Sequence, residues 1–177
     1  MTEVDPDDWQ YEGPPRIRPN PGNRLAALRR SFYDESVAAR KSRGRQVCIT
    51  TYVLAQDRST IETSCGELLV YARHMGWRTA RRHFTDVLRD TPAGDTQPSL
   101  SDAVRYVGCG YAHGILMLGR SSIASIDDEY EALLHWLHIR CSFIAFIPPA
   151  FISRLGRGPR MTPGVAPHPR AGFTPTT

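Results

Sequence analysis

The stretch that decides the fold runs from residue 114 to residue 147. It begins with the apolar run Gly114-Ile-Leu-Met-Leu118, turns at Gly119-Arg120-Ser121-Ser122, continues as an amphipathic segment at 126–139, and ends with Ser142-Phe-Ile-Ala-Phe-Ile147. Short apolar runs bounded by turn residues are typical of parallel strands buried on both faces, and the segment between them has helical spacing. We therefore expect one βαβ unit here.

The predicted helix of this unit carries charges that suit a helix dipole. Ser125, followed three residues later by Asp128, predicts its start, and acids fill its first turns. In an open parallel sheet, ligands bind beyond the carboxyl ends of the strands, so the turn at 119–125 is the first candidate for chemistry. Arg120 in that turn suits a phosphate or a carboxylate, and a plain surface role is equally open.

A second strand–helix–strand pattern precedes the first. Residues 46–54 are rich in β-branched and aromatic side chains and predict the first core strand. Ser59 and Glu62 have the spacing of a capping box for the next helix, and Gly76 ends it. Residues 77–84 alternate only in part, which predicts one strand near the sheet edge.

The connection between the two patterns completes the predicted fold. Residues 86–97 predict a long loop, and Ser99 with Asp102 predicts the start of a short helix that leads to the strand at 114. Strands that alternate with helices favour helices packed on both faces of a parallel sheet. The predicted fold class is therefore α/β, a three-layer sandwich with a mainly parallel sheet.

The chain divides into four predicted segments. Residues 1–23 are acidic and rich in proline, residues 151–177 are basic and rich in proline, and both compositions predict disordered tails. Residues 24–45 predict a basic helical arm, and residues 46–150 predict the folded α/β domain. For the arm, a solvated helix lying on the domain is the alternative.

The positive charge belongs to the flanks of the chain. The net charge is +4, yet residues 46–150 hold nine bases and eleven acids, whereas residues 14–45 hold nine bases and two acids. The central domain therefore has no overall electrostatic preference for nucleic acid. Phosphate contacts are predicted for the basic arm and the Arg120 turn, that is, for Arg24, Arg29, Arg30, Arg40, Lys41, Arg43, Arg45 and Arg120.

Several functional classes have weak or missing signals. The four cysteines form no CxxC pair and no signal peptide is visible, so we expect reduced thiols that lie mostly in the core. No apolar run approaches the ~20 residues of a membrane span, so no membrane partner is predicted and the cytoplasm is the expected location. The HxxHxxC spacing at 135–141 is a weak metal signal, and the GxGxxG and Walker patterns are absent, so neither a metal nor a cofactor is expected. Ser121 and Ser122 lack a GxSxG elbow and suit a turn.

With these elements in place, residues 46–147 resemble the catalytic domain of resolvase/invertase-type serine recombinases. The matching segments are Ile49-Thr50-Thr51-Tyr52, Ile61-Glu62-Thr63, Leu68-Leu69-Val70-Tyr71-Ala72, Gly76-Trp77, Phe84-Thr85-Asp86, Pro98-Ser99-Leu100 and the strand, Arg120 loop, helix and final strand. The resemblance implies a resolvase-like fold, a link to DNA recombination or DNA binding, and DNA, a second copy or a recombinase as partners.

The family's catalytic residues are largely replaced in this chain. Its first strand ends in Tyr-x-Arg-x-Ser, whose serine attacks a DNA phosphodiester; here Tyr52 matches, but Leu54 replaces the arginine and Gln56 the serine. Asp86 matches the acidic position of the next loop, and Arg120 is what remains of the family's Asp-Arg-x-x-Arg loop. Because a glutamine amide cannot serve as this nucleophile, the resemblance implies a domain that does not cleave DNA.

Two other functions remain open at this point. A protein-interaction or regulatory module would use an apolar exposed face near Trp136 and Phe151 to pair with itself or with an active recombinase. An active recombinase with a displaced nucleophile would use Ser59 or Ser121, although Ser59 suits a helix cap better.

Overall fold

The computed structural model describes residues 20–88, 97–123 and 125–155. In chain order the elements are α1 (Pro21–Lys41), β1 (Cys48–Ala55), α2 (Arg58–His74), β2 (Arg78–Thr79), β3 (Phe84–Val87), α3 (Pro98–Gly108), β4 (Gly114–Met117), a 3-10 turn (Arg120–Ser122), α4 (Asp127–Ile139), β5 (Phe143–Phe146) and α5 (Pro149–Leu155). Residues up to Ile147 belong to one compact unit, and α5 belongs to a second.

The sheet is parallel throughout and is built around β1. Its first half pairs with β2 and its second half with β3, while β4 lies beside β1 on the side opposite β2 and pairs in turn with β5. Each connection between neighbouring strands contains a helix, as parallel pairing requires. The predicted α/β fold class with a mainly parallel sheet is confirmed.

Helices cover both faces of the sheet. Alternate residues of β1 point to opposite faces, and Tyr52 belongs to a buried cluster with side chains of α3 and α4 such as Leu100 and Leu134. On the opposite face Ile49 and Val53 are fully buried where α2 packs against β1. Burial on both faces explains why a strand such as β4 is continuously apolar in sequence.

Helix α1 packs along the β5 edge of the sheet and against α4. Leu25 is 2% exposed within the main core cluster, and the Tyr33 ring meets the Phe143 ring edge-on at 5.3 Å between centroids. The Arg29 guanidinium lies 4.5 Å from the centre of the Phe146 ring and donates to the Ile144 carbonyl at 3.5 Å. The helix thus covers an edge whose backbone groups would otherwise be open to another strand.

The predicted single strand at 77–84 is wrong. The chain makes two short strands there, β2 and β3, separated by a segment that leaves the ladder. Two buried threonines of β1 hold this segment by their side chains: the Thr50 hydroxyl donates to the Arg82 carbonyl at 2.6 Å, and the Thr51 hydroxyl lies 2.8 Å from His83 Nδ1. Side-chain bonds therefore replace the ladder where the sequence alternation breaks down.

Two predicted helix starts are also wrong. Helix α2 is capped by Asp57, whose carboxylate accepts from the Thr60 backbone N–H at 2.8 Å, and not by Ser59. Helix α4 begins after Ile126 without a side-chain cap, and the Ser125 hydroxyl is buried with no hydrogen-bond partner among the described residues. Ser125 lies one position before the cap, which is too early for its hydroxyl to serve the first turn. The predicted acids of that turn, Asp127, Asp128 and Glu129, are confirmed.

The ends and the cysteines differ in part from expectation. Helix α1 starts at Pro21, inside the predicted tail 1–23, and α5 occupies 149–155, which overlaps the predicted tail 151–177. Residues 1–19, 89–96 and 156–177 lie outside the described part of the chain. All four thiols are free, but Cys109 and Cys141 are exposed, so the expectation of mostly buried cysteines is wrong for these two. None of the described helices has an apolar stretch long enough to cross a lipid bilayer.

Candidate functional site

The topology places the candidate site between the carboxyl ends of β1 and β4. The chain moves from β1 to β2 and β3 on one side and later returns to β4 on the other, so the strand order reverses between β1 and β4. Ligands of open parallel sheets bind in the crevice formed at such a reversal. The loops that border it are the one after Ala55 and the one that carries Arg120.

Tyr52 and Asp86 form a buried contact between β1 and β3. The Tyr52 hydroxyl donates to Asp86 Oδ2 at 2.9 Å, and burial together with the carboxylate raises the pKa of the Tyr52 hydroxyl. The Asp86 carboxylate also accepts from the backbone N–H groups of Ser99 and Leu100, each at 3.3 Å. Asp86 therefore ties β1 and β3 to the start of α3.

This carboxylate takes over the role that the sequence assigned to Ser99 and Asp102. The N-cap residue of α3, Gln97, makes no side-chain cap bond to the helix, and the Ser99 hydroxyl donates to the Thr85 carbonyl at 2.9 Å instead. A negative charge at a helix N-terminus is favoured by the helix dipole and by the unpaired N–H groups there. Asp86 thus has a structural function in this chain.

The end of β1 presents no activated nucleophile among the described residues. Leu54 is half-buried against the core, Gln56 is exposed, and the Ser59 hydroxyl donates to Asp57 Oδ1 at 2.7 Å. The Thr60 hydroxyl and backbone N–H also donate to Asp57, and these hydrogen bonds lower the pKa of the Asp57 carboxyl to about 2. A carboxylate this weakly basic is poorly matched to removing a proton from Ser59 near neutral pH.

Arg120 is bound by its own loop and by α4. Its guanidinium donates to the carbonyls of Ile123 at 2.6 Å and Ser125 at 2.7 Å, and it lies 3.6 Å from Asp127 Oδ1. It also lies 4.2 Å from the centre of the Tyr130 ring. Both terminal nitrogens of Arg120 are thus engaged by carbonyls, and 35% of its side chain is exposed, so the bidentate edge that would bind a phosphate is already in use. Nothing in the sequence indicated the Tyr130 contact beyond its place one turn into α4.

The structure therefore joins some predicted site residues and separates others. Tyr52 and Asp86 touch, whereas the partners of Arg120 among the described residues all lie between 123 and 130. The sequence analysis missed Asp57, although an aspartate directly before the helical run was an available capping signal.

Three of the predicted phosphate contacts on α1 are bound within the domain. Both terminal nitrogens of Arg24 donate to the Glu131 carboxylate, and the two side chains form a salt bridge. Arg29 meets β5 as described above, and burial lowers the pKa of its guanidinium. Arg40 donates to the carbonyls of Ser36 and Cys141. These side chains hold α1 in place.

The other basic residues of α1 and the following turn are exposed. Within the described ranges, no carboxylate oxygen lies within 4.0 Å of their charged nitrogens; they are Arg30, Lys41, Arg43 and Arg45. Exposed cations without acidic partners are the ones that retain their charge for a phosphate.

In the structure, the two histidines of the HxxHxxC segment at 135–141 pack against an aromatic ring. The Phe32 ring stacks on the His138 ring with centroids 3.9 Å apart and meets the His135 ring edge-on at 5.2 Å. Among the described residues, no group of three or more His, Cys, Asp or Glu side chains is arranged to hold a metal ion.

No protein-family model matches this sequence, and neither does any curated protein. Among solved structures, the chain is similar to the crystal structure of the C-terminal catalytic domain of ISC1926 TnpA, an IS607-like serine recombinase. The two are 13% identical over 62% of this chain and 76% of that one, with a TM-score of 0.49. What the site of this chain can do follows from its own side chains.

Proposed function

We propose that this chain is a serine recombinase-like domain that binds DNA weakly and without sequence preference, and that it does not cut DNA. The family assignment in this proposal rests on the sequence resemblance across residues 46–147. The observation that carries the lack of cleavage is the exposed Gln56 at the carboxyl end of β1, in the position that the resemblance gives to the nucleophile.

The surroundings of Gln56 support the absence of cleavage. Leu54 stands in place of a cation, and the Arg120 guanidinium is occupied by backbone carbonyls. A single donor to a developing negative charge is typically worth ~3 to 4 kcal/mol of transition-state stabilisation. A site without the nucleophile and with these cations missing or occupied has lost both covalent and electrostatic catalysis.

The four exposed cations on α1 and its following turn support DNA binding. Cations near phosphates release condensed counterions, which gives affinity without sequence preference and a strong dependence on salt. This surface lies on the compact unit itself, because α1 is packed on β5 and α4.

Binding of the full chain to a nonspecific duplex, titrated with salt, tests this proposal. Replacing Arg30 and Lys41 by Gln should weaken binding and reduce the slope of log K against log salt by up to ~1.8, about 0.9 for each phosphate that is no longer neutralised. The matched control is Arg73→Gln/Arg81→Gln, which removes the same charge from two exposed positions outside the predicted surface. Undetectable binding by the full chain at low salt, or equal losses in both double variants, would contradict the proposal.

Substitutions are preferable to truncation in this experiment. Removing residues up to 45 would delete Leu25 and Val37, which are 2% and 7% exposed, and would uncover the core that they pack against. A fragment that fails to bind would then report unfolding as readily as the removal of a DNA-binding side chain.

A denaturing gel of the chain incubated with supercoiled DNA tests cleavage directly. We expect no covalent protein–DNA adduct, since the Ser59 hydroxyl faces a weakly basic carboxylate. An adduct formed by the natural chain and abolished in Ser59→Ala or Ser121→Ala would establish the displaced-serine alternative instead.

Self-association is a second candidate function, supported by apolar exposure on α4. Ile139 is 77% exposed and Trp136 is 36% exposed, whereas Phe151 belongs to the second unit and is partly buried. Concentration-dependent dimerisation without DNA, abolished by Ile139→Glu, would favour this function. A monomer at all concentrations would exclude it.

A further inference from the structure

A cavity of about 430 Å³ opens at the amino end of the sheet, far along the strands from the crevice described above. It lies among the last turn of α1, the turn after it, the residue before β4 and the end of α4. Its lining is Glu35, Ser36, Ala39, Arg40, Arg43, Arg45, His113, His138 and Cys141. The volume is within the range of small-ligand sites.

A glycine turn brings two arginines to this cavity. The Arg45 N–H donates to the Arg40 carbonyl at 3.0 Å and the Gly44 N–H donates to the Lys41 carbonyl at 2.9 Å, the two bonds of a Schellman motif. Gly44 has φ +64°, which L side chains rarely adopt. The turn places Arg43 and Arg45 on either side of this glycine, and both line the cavity.

The third arginine of the cavity is held rigidly. Arg40 donates to the Ser36 carbonyl at 2.8 Å and to the Cys141 carbonyl. Burial, followed by the neighbouring charge of Arg43, lowers the pKa of the Arg40 guanidinium. The cavity therefore has a fixed cation on its wall, with two exposed cations beside it.

The fourth nitrogen donor is the His113 imidazole. His113 Nδ1 accepts from the Cys48 backbone N–H at 2.9 Å, which leaves Nε2 to carry the ring proton. Burial and then the charges of Arg40, Arg78 and Arg45 lower the pKa of the His113 imidazole. Two of these arginines, Arg40 and Arg45, line the cavity together with His113.

The lining of the cavity holds little negative charge against these arginines. Glu35 is the one carboxylate among the lining residues, and it lies 3.7 Å from His138 Nε2 and accepts from the Ser31 hydroxyl. Arg43 and Arg45 make no side-chain hydrogen bond or salt bridge within the described part of the chain. The C-terminus of α1 favours cations, and Arg40 uses its guanidinium there to bind carbonyl oxygens, whereas the side chains of Arg43 and Arg45 keep their donors free of protein partners among the described residues.

We propose that this cavity is an anion site for phosphate groups, bound by Arg43 and Arg45 with Arg40 and His113 on its wall. Planar guanidinium groups bind phosphate oxygens bidentately, so two arginines in one cavity can each bind a phosphate group. The phosphates come from a nucleic acid backbone or from a free phosphorylated small molecule. The nucleic acid case rests on the proposed function, and the small-molecule case does not.

Calorimetric titration of the full chain with pyrophosphate at constant ionic strength tests the site. Arg43→Gln/Arg45→Gln should weaken binding at least ~10-fold, since each charge-assisted bond that is removed is worth more than a neutral one, while Arg73→Gln/Arg81→Gln should change it less than ~2-fold. Glu35→Gln removes the opposing charge and should strengthen binding. No binding up to about 10 mM pyrophosphate, or equal losses in both double variants, overturns the proposal.

Alkylation of the cysteines localises the bound anion. Cys141 lines the cavity and Cys109 does not, although both thiols are exposed. Pyrophosphate should slow the modification of Cys141 by N-ethylmaleimide and leave that of Cys109 unchanged, as read by peptide mass. Equal rates with and without pyrophosphate at both cysteines would overturn the proposed place of binding.

Competition with a short DNA duplex separates the two phosphate sources and the two proposals. Duplex that is displaced by pyrophosphate and no longer bound by Arg43→Gln/Arg45→Gln assigns the site to the nucleic acid backbone. Pyrophosphate binding without any duplex binding supports the anion site and refutes the proposed DNA function. Duplex binding unaffected by this variant, with no pyrophosphate binding, refutes the anion site and leaves the DNA function standing.

Discussion

Replacing Asp86 by Ala should lower the free energy of unfolding more than replacing a surface acid does. Asp86 is 7% exposed and accepts from the Tyr52 hydroxyl and from the N–H groups of Ser99 and Leu100. A hydrogen bond to a charged group is worth ~1.5 to 3 kcal/mol, and three such bonds on one side chain do not add independently. We expect a loss of about 3 to 5 kcal/mol in the free energy of unfolding.

Urea unfolding followed by circular dichroism and tryptophan fluorescence measures this loss. Asp102→Ala is the matched control, because Asp102 lies in α3, the helix whose start Asp86 binds, and pairs with Arg105 at 3.5 Å with both side chains well exposed. Such a surface pair contributes ~0 to 1 kcal/mol. Tyr52→Phe should cost about 1 to 2 kcal/mol by removing one of the three donors.

A double-mutant cycle of Tyr52→Phe with Asp86→Asn isolates the contact between the two side chains. The coupling should lie at roughly 0.5 to 3 kcal/mol, as for other residues in one hydrogen-bond network. The reasoning is refuted if Asp86→Ala costs no more than Asp102→Ala, or if the coupling is zero. Either outcome would make Asp86 a candidate for chemistry again.

Four further substitutions probe the packing of β4, α2 and α1 and the cap of α2 that follows β1. Gly114→Ala should destabilise the domain by about 1 to 3 kcal/mol, because a Cβ there would lie 2.4 Å from the Phe143 ring, whereas Gly66→Ala, with no atom within 4 Å, should stabilise α2 by about 0.5 to 1 kcal/mol in the same urea assay. Leu25→Ala should cost about 2 to 5 kcal/mol in thermal or urea unfolding if α1 belongs to the core, and a neutral result would contradict that packing. Asp57 has its pKa lowered from 3.8 to about 2, so its stabilising effect is complete above pH 3.8 and disappears as the pH falls towards 2; Asp57→Asn should flatten acid unfolding in that window, and an unchanged acid limb would count against the cap.

The main elements of the fold were predictable from local pattern. Continuous apolar runs identified β4 and β5, β-branched and aromatic content identified β1, and helical periodicity identified α2 and α4, because burial on both faces restricts every residue of a strand. The single strand at 77–84 was predicted wrongly. Hydrogen bonds from Thr50 and Thr51, which lie in β1, interrupt the strand there, and the local sequence does not show them.

The site was less predictable, because its side chains are committed by hydrogen bonds that no sequence pattern reveals. Arg120 and Asp86 looked available for chemistry, yet Arg120 is bound by carbonyls of its own loop and Asp86 by the start of α3. The cavity at the amino end depends on Gly44 turning the chain so that Arg43 and Arg45 meet His113, an arrangement that no spacing in the sequence encodes.

The contacts of α1 indicate when this helix can dock during folding. Arg24 meets Glu131, Arg29 meets Ile144 and Arg40 meets Cys141, separations of 107, 115 and 101 residues. During synthesis this helix emerges well before the strand and helix that it covers, and closing so long a loop costs conformational entropy before any contact repays it. We therefore expect the docking of α1 to be a late step in folding, which would leave the β5 edge open to pairing with other chains until it occurs.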